Sequence, residues 1–264
     1  MATAKRISPL AKKGSKKLVG KVGSKPAPAK RGGPPTGATL AKLKVQAKRV
    51  NERLKADYPD AECALENETP FELLIATILS AQCTDARVNM VTPELFRRWP
   101  NAAAMAKAPS AVLEKVIQST GFFRNRAKNI KAASAAMVER HDGEVPCDIA
   151  AMVALPGVGR KTANVVLGTA YGMATGVVVD THVTRLSHRL GLTKHTDAVK
   201  IEQDLMRLLP EEEWVNFAHR MIHHGRQICI ARKPRCPQCS MNSFCPKIGV
   251  TVIAKEIWRR GDKE

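Results

Sequence analysis

Four of the seven cysteines in this 264-residue sequence lie close together near its C-terminal end. Cys229, Cys236, Cys239 and Cys245 are separated by six, two and five residues. The odd total argues against a closed set of disulfides, and the crowding is typical of metal ligands in a reducing compartment. Zinc sites usually combine two short Cys-x-x-Cys pairs, whereas this spacing contains one. We therefore predict an iron–sulfur cluster, with zinc as the alternative.

The loop between the first two of these cysteines is basic, because it holds Arg232, Lys233 and Arg235. Closing the loop around a cluster would present the three cations together. Clustered cations bind the phosphates of nucleic acids. We predict that these three side chains contact a phosphate backbone.

A second motif, L-P-G-V-G-R-K, begins at Leu155 between two predicted helices. Its two glycines can adopt a positive φ, which allows a tight hairpin whose N–H groups point outward at a helix N-terminus. Such a turn binds a phosphate without reading sequence. A plain turn between helices is the alternative. The residues predicted to contact DNA here are Leu155, Gly157, Val158, Gly159 and Arg160.

Lys161 would lie in the first turn of the second helix of this hairpin. The positive end of the helix dipole and neighbouring Arg160 disfavour a protonated amine there. A neutral amine is what a lysine nucleophile requires. The alternative is a phosphate-binding or merely solvated lysine.

Asp180 ends the apolar run Val177–Val179, 19 residues after Lys161. A carboxylate near apolar surroundings can stabilise the positive charge that develops on a sugar losing its base. It is equally suited to be the N-cap of a helix beginning near His182. We expect His182, His223 and His224 to be structural rather than catalytic or metal-binding.

The N-terminal arm carries most of the net charge of +19, since residues 1–51 hold 14 of the 43 Lys and Arg residues and no acidic residue. This charge favours a nucleic-acid partner, with a solubilising or targeting tail as the alternative. Residues 1–38 are rich in Pro, Gly, Ser and Lys and are expected to be disordered. No apolar run approaches membrane-spanning length. We expect a soluble, intracellular monomer with no membrane partner.

The apolar periodicity predicts an all-α chain. Thr69 as N-cap, Pro70 at the first helical position and Glu72 two residues later form a capping box ahead of an apolar core helix. Asp148 is predicted to cap a later helix. Only Val177–Val179 looks strand-like, and it is too short for a sheet. Further helices are predicted at about 110–119, 124–139, 148–154, 160–171, 182–190 and 196–209, and from Pro210 onward.

Several segments together resemble the endonuclease III family of helix-hairpin-helix DNA glycosylases over about residues 40–250. They are P-F-E-L-L-I-A from Pro70, L-S-A-Q from Leu79, L-P-G-V-G-R-K-T-A-N-V-V-L from Leu155, V-D-T-H-V from Val179, H-G-R from His224, and the four cysteines.

The resemblance implies two helical domains with a DNA-binding cleft between them. Residues 67–176 would form a six-helix barrel that contains the hairpin. Residues 39–66 and 177–250 would form a domain that holds a [4Fe-4S] cluster, and residues 251–264 would be a C-terminal tail. A bacterial family member would be cytoplasmic and associated with the nucleoid, and a eukaryotic one nuclear or mitochondrial.

The resemblance also implies the reaction, with double-stranded DNA that contains damaged bases or abasic sites as the partner. Lys161 matches the nucleophile and Asp180 the essential carboxylate. The enzyme would flip an oxidised pyrimidine such as thymine glycol from the stack, attack C1′, form a Schiff base and nick the strand by β-elimination. Gln82 matches the residue that fills the gap left by the flipped base, with a helix-end cap as its alternative. Phe122 stands where family members can have Leu as a wedge in the opposite strand.

Two alternatives differ in chemistry. Adenine glycosylases and a mismatch-specific thymine glycosylase of the same superfamily lack the equivalent of Lys161, so a monofunctional mismatch glycosylase is the first alternative. A non-catalytic iron–sulfur DNA-binding module is the second. The chain has one more residue than the family pattern around Ala174–Val178, which concerns the geometry of that loop.

Overall fold

A computed structural model describes residues 37–250 of the chain. Within that range every regular element is an α-helix or a short 3-10 helix and no strand occurs, which confirms the all-α prediction. The predicted disorder of residues 1–38 and the predicted tail at 251–264 lie almost entirely outside the described residues. The helices are α1 Gly37–Asp57, α2 Pro70–Ser80, α3 Asp85–Arg98, α4 Ala102–Ala106, α5 Ser110–Ile117, α6 Phe123–Arg140, α7 Ile149–Ala154, α8 Arg160–Tyr171, α9 Thr181–Arg189, α10 Ala198–Leu208 and α11 Trp214–Gln227.

Buried apolar side chains form two separate clusters. The first draws on residues 65–167 and includes α2 at its centre. The second combines α1 with residues 177–241. The boundary predicted at residue 177 falls between these clusters, whereas Leu65, predicted to lie in the cluster domain, belongs to the first cluster. The division into two domains stays a prediction.

Helix α2 begins with the predicted N-cap. The Thr69 hydroxyl accepts the N–H of Glu72 at 3.2 Å, and Pro70 occupies the first turn. The Glu72 carboxylate accepts the N–H of Glu68 at 2.7 Å, one residue before the N-cap, so the box is closed one position early. Eight of the nine residues from Phe71 to Leu79 are buried, all except Glu72, as expected for a helix enclosed on all sides.

Helices α3 and α4 are absent from the sequence prediction. Helix α3 contains Pro93 in its interior, and α4 is a five-residue helix made of alanines and one methionine. Proline in a helix and a short alanine run both hide the periodic signal that identifies longer helices. Their N-caps, Thr84 and Asn101, are polar residues that accept an N–H from the first turn.

Helix α8 links the two hydrophobic clusters. It packs against α2 on one side and α11 on the other. A Cβ at Gly168 would lie 2.8 Å from the Val215 side chain, so only glycine allows α8 and α11 to approach this closely. Helix α9 packs against α11 as well, which places α8 and α9 on the same supporting helix.

Among the described residues, no helix is both long enough and apolar enough to cross a membrane.

Replacing Thr69 with Ala should lower the free energy of unfolding by about 1 kcal/mol, because the N–H of Glu72 loses its acceptor. Thr69→Ser keeps the hydroxyl and is the matched control. Urea denaturation followed by circular dichroism measures both. Equal stability of the Ala and Ser variants would show that the cap contributes nothing.

Candidate active site and cysteine-lined cavity

The hairpin predicted from L-P-G-V-G joins α7 to α8. Asp148 caps α7 by accepting the N–H of Ala151 at 2.8 Å, as predicted. Gly157 has a φ of 77°, and a Cβ there would lie 2.7 Å from Cβ of Asn129 on α6. Glycine is therefore required both for the turn and for its packing on α6.

Helix α8 begins at this hairpin without a side-chain cap. Its N-cap, Gly159, offers no side-chain acceptor to the first turn. Gly157 and Gly159 are exposed, whereas the side chains of Leu155 and Val158 are buried in the first cluster. The two apolar residues thus anchor the hairpin, and the outward-facing groups at its tip are backbone. An exposed, uncapped helix N-terminus is suited to bind a phosphate.

Lys161 is exposed in the first turn of α8. The positive charge of the neighbouring Arg160 is offset by a carboxylate, because its guanidinium pairs with Glu202 at 3.0 Å. The prediction of a neutral Lys161 counted the positive charge of Arg160 but not the carboxylate that pairs with it.

Asp180 is the N-cap of α9, one of the two roles that the sequence left open. Its Oδ1 accepts the N–H of Val183 at 2.8 Å. The preceding residues Val177–Val179 are extended and buried. Within residues 37–250, no hydrogen bond to Oδ2 of Asp180 occurs, so the second carboxylate oxygen of this partly exposed residue is available beside the cap. The cap therefore does not exclude a chemical role.

His182 has a structural role in the geometry. Its Nδ1 lies 3.2 Å from Nη2 of Arg185, which also donates to the carbonyl of Gly225 at 2.9 Å. Burial lowers the pKa of His182, and nearby Asp180 opposes that shift. A neutral ring that accepts from Arg185 fits the sequence expectation.

A buried carboxylate supports both chain segments that carry the predicted catalytic residues. Glu202 on α10 is 5% exposed and accepts from Nε of Arg160 on both oxygens, at 3.1 and 3.0 Å. It also accepts from Nδ2 of Asn164 at 2.9 Å. The Asn164 Oδ1 in turn accepts the hydroxyl of Thr175 at 3.0 Å.

The two residues predicted to enter the DNA stack share an unusual backbone conformation. Gln82 has a φ of 61° and Phe122 a φ of 46°. Both values lie in the left-handed region that residues other than glycine seldom adopt. Both side chains are exposed, that of Phe122 at 69%. Such strain concentrates at functional positions.

Arg126 joins the two loops that present these residues. Its guanidinium is 5% exposed and donates to the carbonyl of Thr120 at 2.7 Å and to that of Ala81. Ala81 precedes Gln82, and Thr120 lies two residues before Phe122. One buried side chain therefore fixes the separation of both exposed residues.

All four clustered cysteines line one cavity that is partly open to solvent. Within the described residues, no group of three or more His, Cys, Asp or Glu side chains is placed to hold a single metal ion. A zinc ion needs four sulfurs at about 2.3 Å from one point. In a four-iron cluster each thiolate binds a different iron, so the sulfurs surround a larger volume. Four cysteine thiols around one cavity are the donor set that a [4Fe-4S] cluster uses.

Two polar side chains face sulfurs in this cavity. Nη1 of Arg189 donates to Sγ of Cys229 at 3.3 Å, and Nε2 of His224 lies 3.5 Å from Sγ of Cys239. Burial raises the pKa of Cys239 to about 11 and lowers that of His224 to about 4. Metal binding at this site must therefore displace thiol protons. His224 is buried, and it contacts one of the four clustered cysteines.

The basic loop is folded with its carbonyls inward and its cations outward. Arg189 donates to the carbonyls of Cys229, Ile230 and Ala231 at 3.3, 2.9 and 2.7 Å. Arg185 donates to the first of these carbonyls at 3.1 Å. The outward cations are Arg232, Lys233 and Arg235, all exposed.

Sequence reasoning missed Arg126, Arg189 and Glu202. The first had a usable signal, because Arg126 continues the apolar stripe of Ile130 and Met137 on α6. A charged residue in a buried stripe needs a partner. The partners of Glu202 and Arg189 come from distant segments, and no local pattern marks them.

A family model described as HhH-GPD superfamily base excision DNA repair protein matches residues 75–211. Endonuclease III of Synechocystis sp. is 55% identical over 207 residues, which cover 78% of this chain and 94% of that protein. Endonuclease III of Escherichia coli (strain K12) is 42% identical over 202 residues, covering 76% and 95%. A solved structure of a trapped endonuclease III–DNA covalent intermediate aligns with a TM-score of 0.74 at 44% identity, covering 77% of this chain and 96% of that one.

Arg189→Lys should loosen the basic loop, since a single ammonium cannot replace the forked donors that bind three carbonyls. We expect amide hydrogen exchange at residues 229–236 to accelerate by about tenfold or more, corresponding to about 1.4 kcal/mol of lost local stability. Arg207→Lys on the exposed face of α10 is the control. Unchanged exchange in the Arg189 variant would contradict the assigned role.

Proposed function

Because the chain belongs to the HhH-GPD superfamily of base excision DNA repair proteins, and to the endonuclease III family within it, we propose that it excises oxidised pyrimidines such as thymine glycol from duplex DNA and then nicks the strand. It is a DNA glycosylase with AP lyase activity. The observation that carries the proposed chemistry is an exposed lysine in the uncapped first turn of α8, next to the hairpin.

Lys161 is the proposed nucleophile. Its amine attacks C1′ of the damaged nucleotide, the C1′–N bond breaks, and the base leaves with the bonding electron pair and a proton. The lone pair of the resulting secondary amine then forms the C=N bond of a protonated Schiff base at C1′, as the C1′–O4′ bond breaks and O4′ takes up a proton. This cation makes the C2′ proton acidic, and loss of that proton expels the 3′ phosphate by β-elimination. The exposure of Lys161 and its place beside a phosphate-binding turn support this role.

Asp180 is the proposed electrostatic partner. One carboxylate oxygen is occupied as the cap of α9, which holds the group in one orientation. The other oxygen is free to stabilise the positive charge that develops on the sugar as the base departs. Buried Val177–Val179 lie directly before it and lower the local polarity, which strengthens that interaction.

We propose three contacts to DNA around this centre. The N–H groups at Gly157, Gly159 and Arg160 bind a phosphate of the damaged strand. Gln82 fills the gap left by the flipped nucleotide, and Phe122 wedges into the opposite strand, with Arg126 holding their loops together. One chain supplies each of these residues, so the proposed reaction needs no second copy.

We propose that Cys229, Cys236, Cys239 and Cys245 hold a [4Fe-4S] cluster. When bound, the cluster links the four thiolates and closes the basic loop, a structural contribution to folding. The loop then presents Arg232, Lys233 and Arg235 to a phosphate.

We also retain the two-domain arrangement as a proposal, with residues 67–176 as the barrel and 39–66 together with 177–250 as the cluster domain. The two separate hydrophobic clusters support it.

Lys161→Ala should abolish the covalent complex that borohydride traps on thymine-glycol DNA, because no amine remains to form the Schiff base. Lys115→Ala, at an exposed position on α5, should trap as well as the unchanged protein. Gel electrophoresis of the trapped species provides the readout. A complex that persists in the Lys161 variant would rule out this nucleophile.

Replacing Arg232, Lys233 and Arg235 with Gln should weaken DNA binding and reduce its salt dependence. The slope of log K against log salt should become shallower by about 0.9 for each phosphate contact that is lost. Exposed Lys107, Lys115 and Arg140, which lie outside the proposed DNA contacts, serve as a control triple replacement. A slope equal to that of the unchanged protein would exclude phosphate contact by the loop.

A further inference from the structure

Glu202 belongs to α10, but its carboxylate is part of a hydrogen-bond network that reaches the two segments carrying Lys161 and Asp180. Its side chain is 7% exposed, and it accepts three hydrogen bonds from α8. Two come from Arg160, which precedes Lys161 directly. The third comes from Asn164, three residues after Lys161 and so on the next turn of the same helix. Glu202 therefore binds α8 through one residue directly before Lys161 and one residue a turn after it.

The same network reaches the segment before Asp180. Oδ1 of Asn164 accepts the hydroxyl of Thr175 at 3.0 Å. Any side chain at Gly176 would overlap the Glu202 carboxylate and would lie 2.7 Å from Nδ2 of Asn164. The backbone at Gly176 thus packs directly on the network. Four residues later, after buried Val177–Val179, the chain reaches Asp180.

Resting on the proposed function, we propose that Glu202 is a positioning residue for the glycosylase reaction. Its carboxylate fixes the distance between the Lys161 turn of α8 and the 175–180 segment that ends in Asp180. It touches neither the substrate nor the reacting atoms.

The charge balance supports this role. A carboxylate that is almost fully buried is costly unless it is paired, and here the guanidinium of Arg160 supplies the counter-charge on the exposed side. Arg160, which the sequence predicted to contact DNA, therefore orients the carboxylate. The single Nε–H of Arg160 is shared between both oxygens of Glu202, and Nδ2 of Asn164 donates to one of them, so the buried carboxylate is held in one arrangement, which is what positioning requires.

Glu213 offers a matched control in the same fold. It is also a buried carboxylate, at 8% exposure, and it pairs with Arg220 at 2.8 Å and with Lys55. Its partners belong to α1 and α11, and none flanks Lys161 or Asp180. Replacing either carboxylate removes its ion pair, but only Glu202 is bonded to residues that flank Lys161.

The test compares Glu202→Gln with Glu213→Gln in the full chain with its metal site loaded. Single-turnover excision and borohydride trapping are measured on a duplex with one thymine glycol, and binding on a duplex with an uncleavable abasic-site analogue. We expect Glu202→Gln to lower the single-turnover rate about 10- to 100-fold while the Kd changes less than about twofold. Glu213→Gln should lower stability and leave the rate within about twofold of the unchanged protein.

Thr175→Val provides a second, milder variant, because it removes only the hydroxyl that binds Asn164. We expect its rate to fall about three- to tenfold at unchanged Kd. If Glu202→Gln does not fold, the single-turnover rate of Thr175→Val tests the positioning role instead.

Equal rates for folded Glu202→Gln and the unchanged protein would overturn the positioning role, as would an equal loss of rate in Glu213→Gln. An unchanged rate in Thr175→Val would overturn it where Glu202→Gln is unfolded. Absence of excision and trapping by the unchanged protein would instead refute the proposed function, on which this inference depends.

Discussion

Helix α9 is held by hydrogen bonds at both ends, and the two halves of the site depend on that constraint. At its start, Asp180 accepts the N–H of Val183 at 2.8 Å. At its end, Arg189 donates to Sγ of Cys229 at 3.3 Å and to the carbonyls that follow. Nine residues of helix span about 14 Å and behave as a rigid rod. The cysteine-lined cavity is therefore connected through this helix to the carboxylate of the proposed catalytic centre without lying next to it.

Apolar packing and buried polar links have different tasks in this fold. The two hydrophobic clusters determine which helices are neighbours, since apolar burial is not directional. Arg126 and Glu202 then fix particular loops and turns, because their hydrogen bonds require defined distances and angles. Each of these side chains is nearly fully buried and multiply bonded, a condition under which polar networks make an interior rigid.

Local signals in the sequence predicted much of this structure. The Thr69 cap, the Asp148 cap and the positive φ of Gly157 each act within a few residues, and the structure has all three, whereas Gly159 has a φ of −92°. Most helix boundaries agree with the periodic pattern within two residues, although α1 begins at Gly37, inside the range expected to be disordered.

Features that arise from distant contacts had no such signal. The left-handed backbone of Gln82 depends on how the end of α2 meets α3, and the pairing of Glu202 with Arg160 joins residues 42 positions apart. The cap formed by Asp180, by contrast, is a local contact, and the sequence offered it beside a catalytic role. Residue types and spacing thus indicated the chemistry, whereas the supports of the site became visible only in three dimensions.

The most direct test of the account is to locate the covalent bond between enzyme and substrate. Borohydride-reduced complex formed on thymine-glycol DNA can be digested with nuclease and protease, and the peptide that carries the deoxyribose remnant identified by mass spectrometry. The account predicts that the added mass lies on Lys161. An adduct on any other residue, or base release with no adduct, would contradict it.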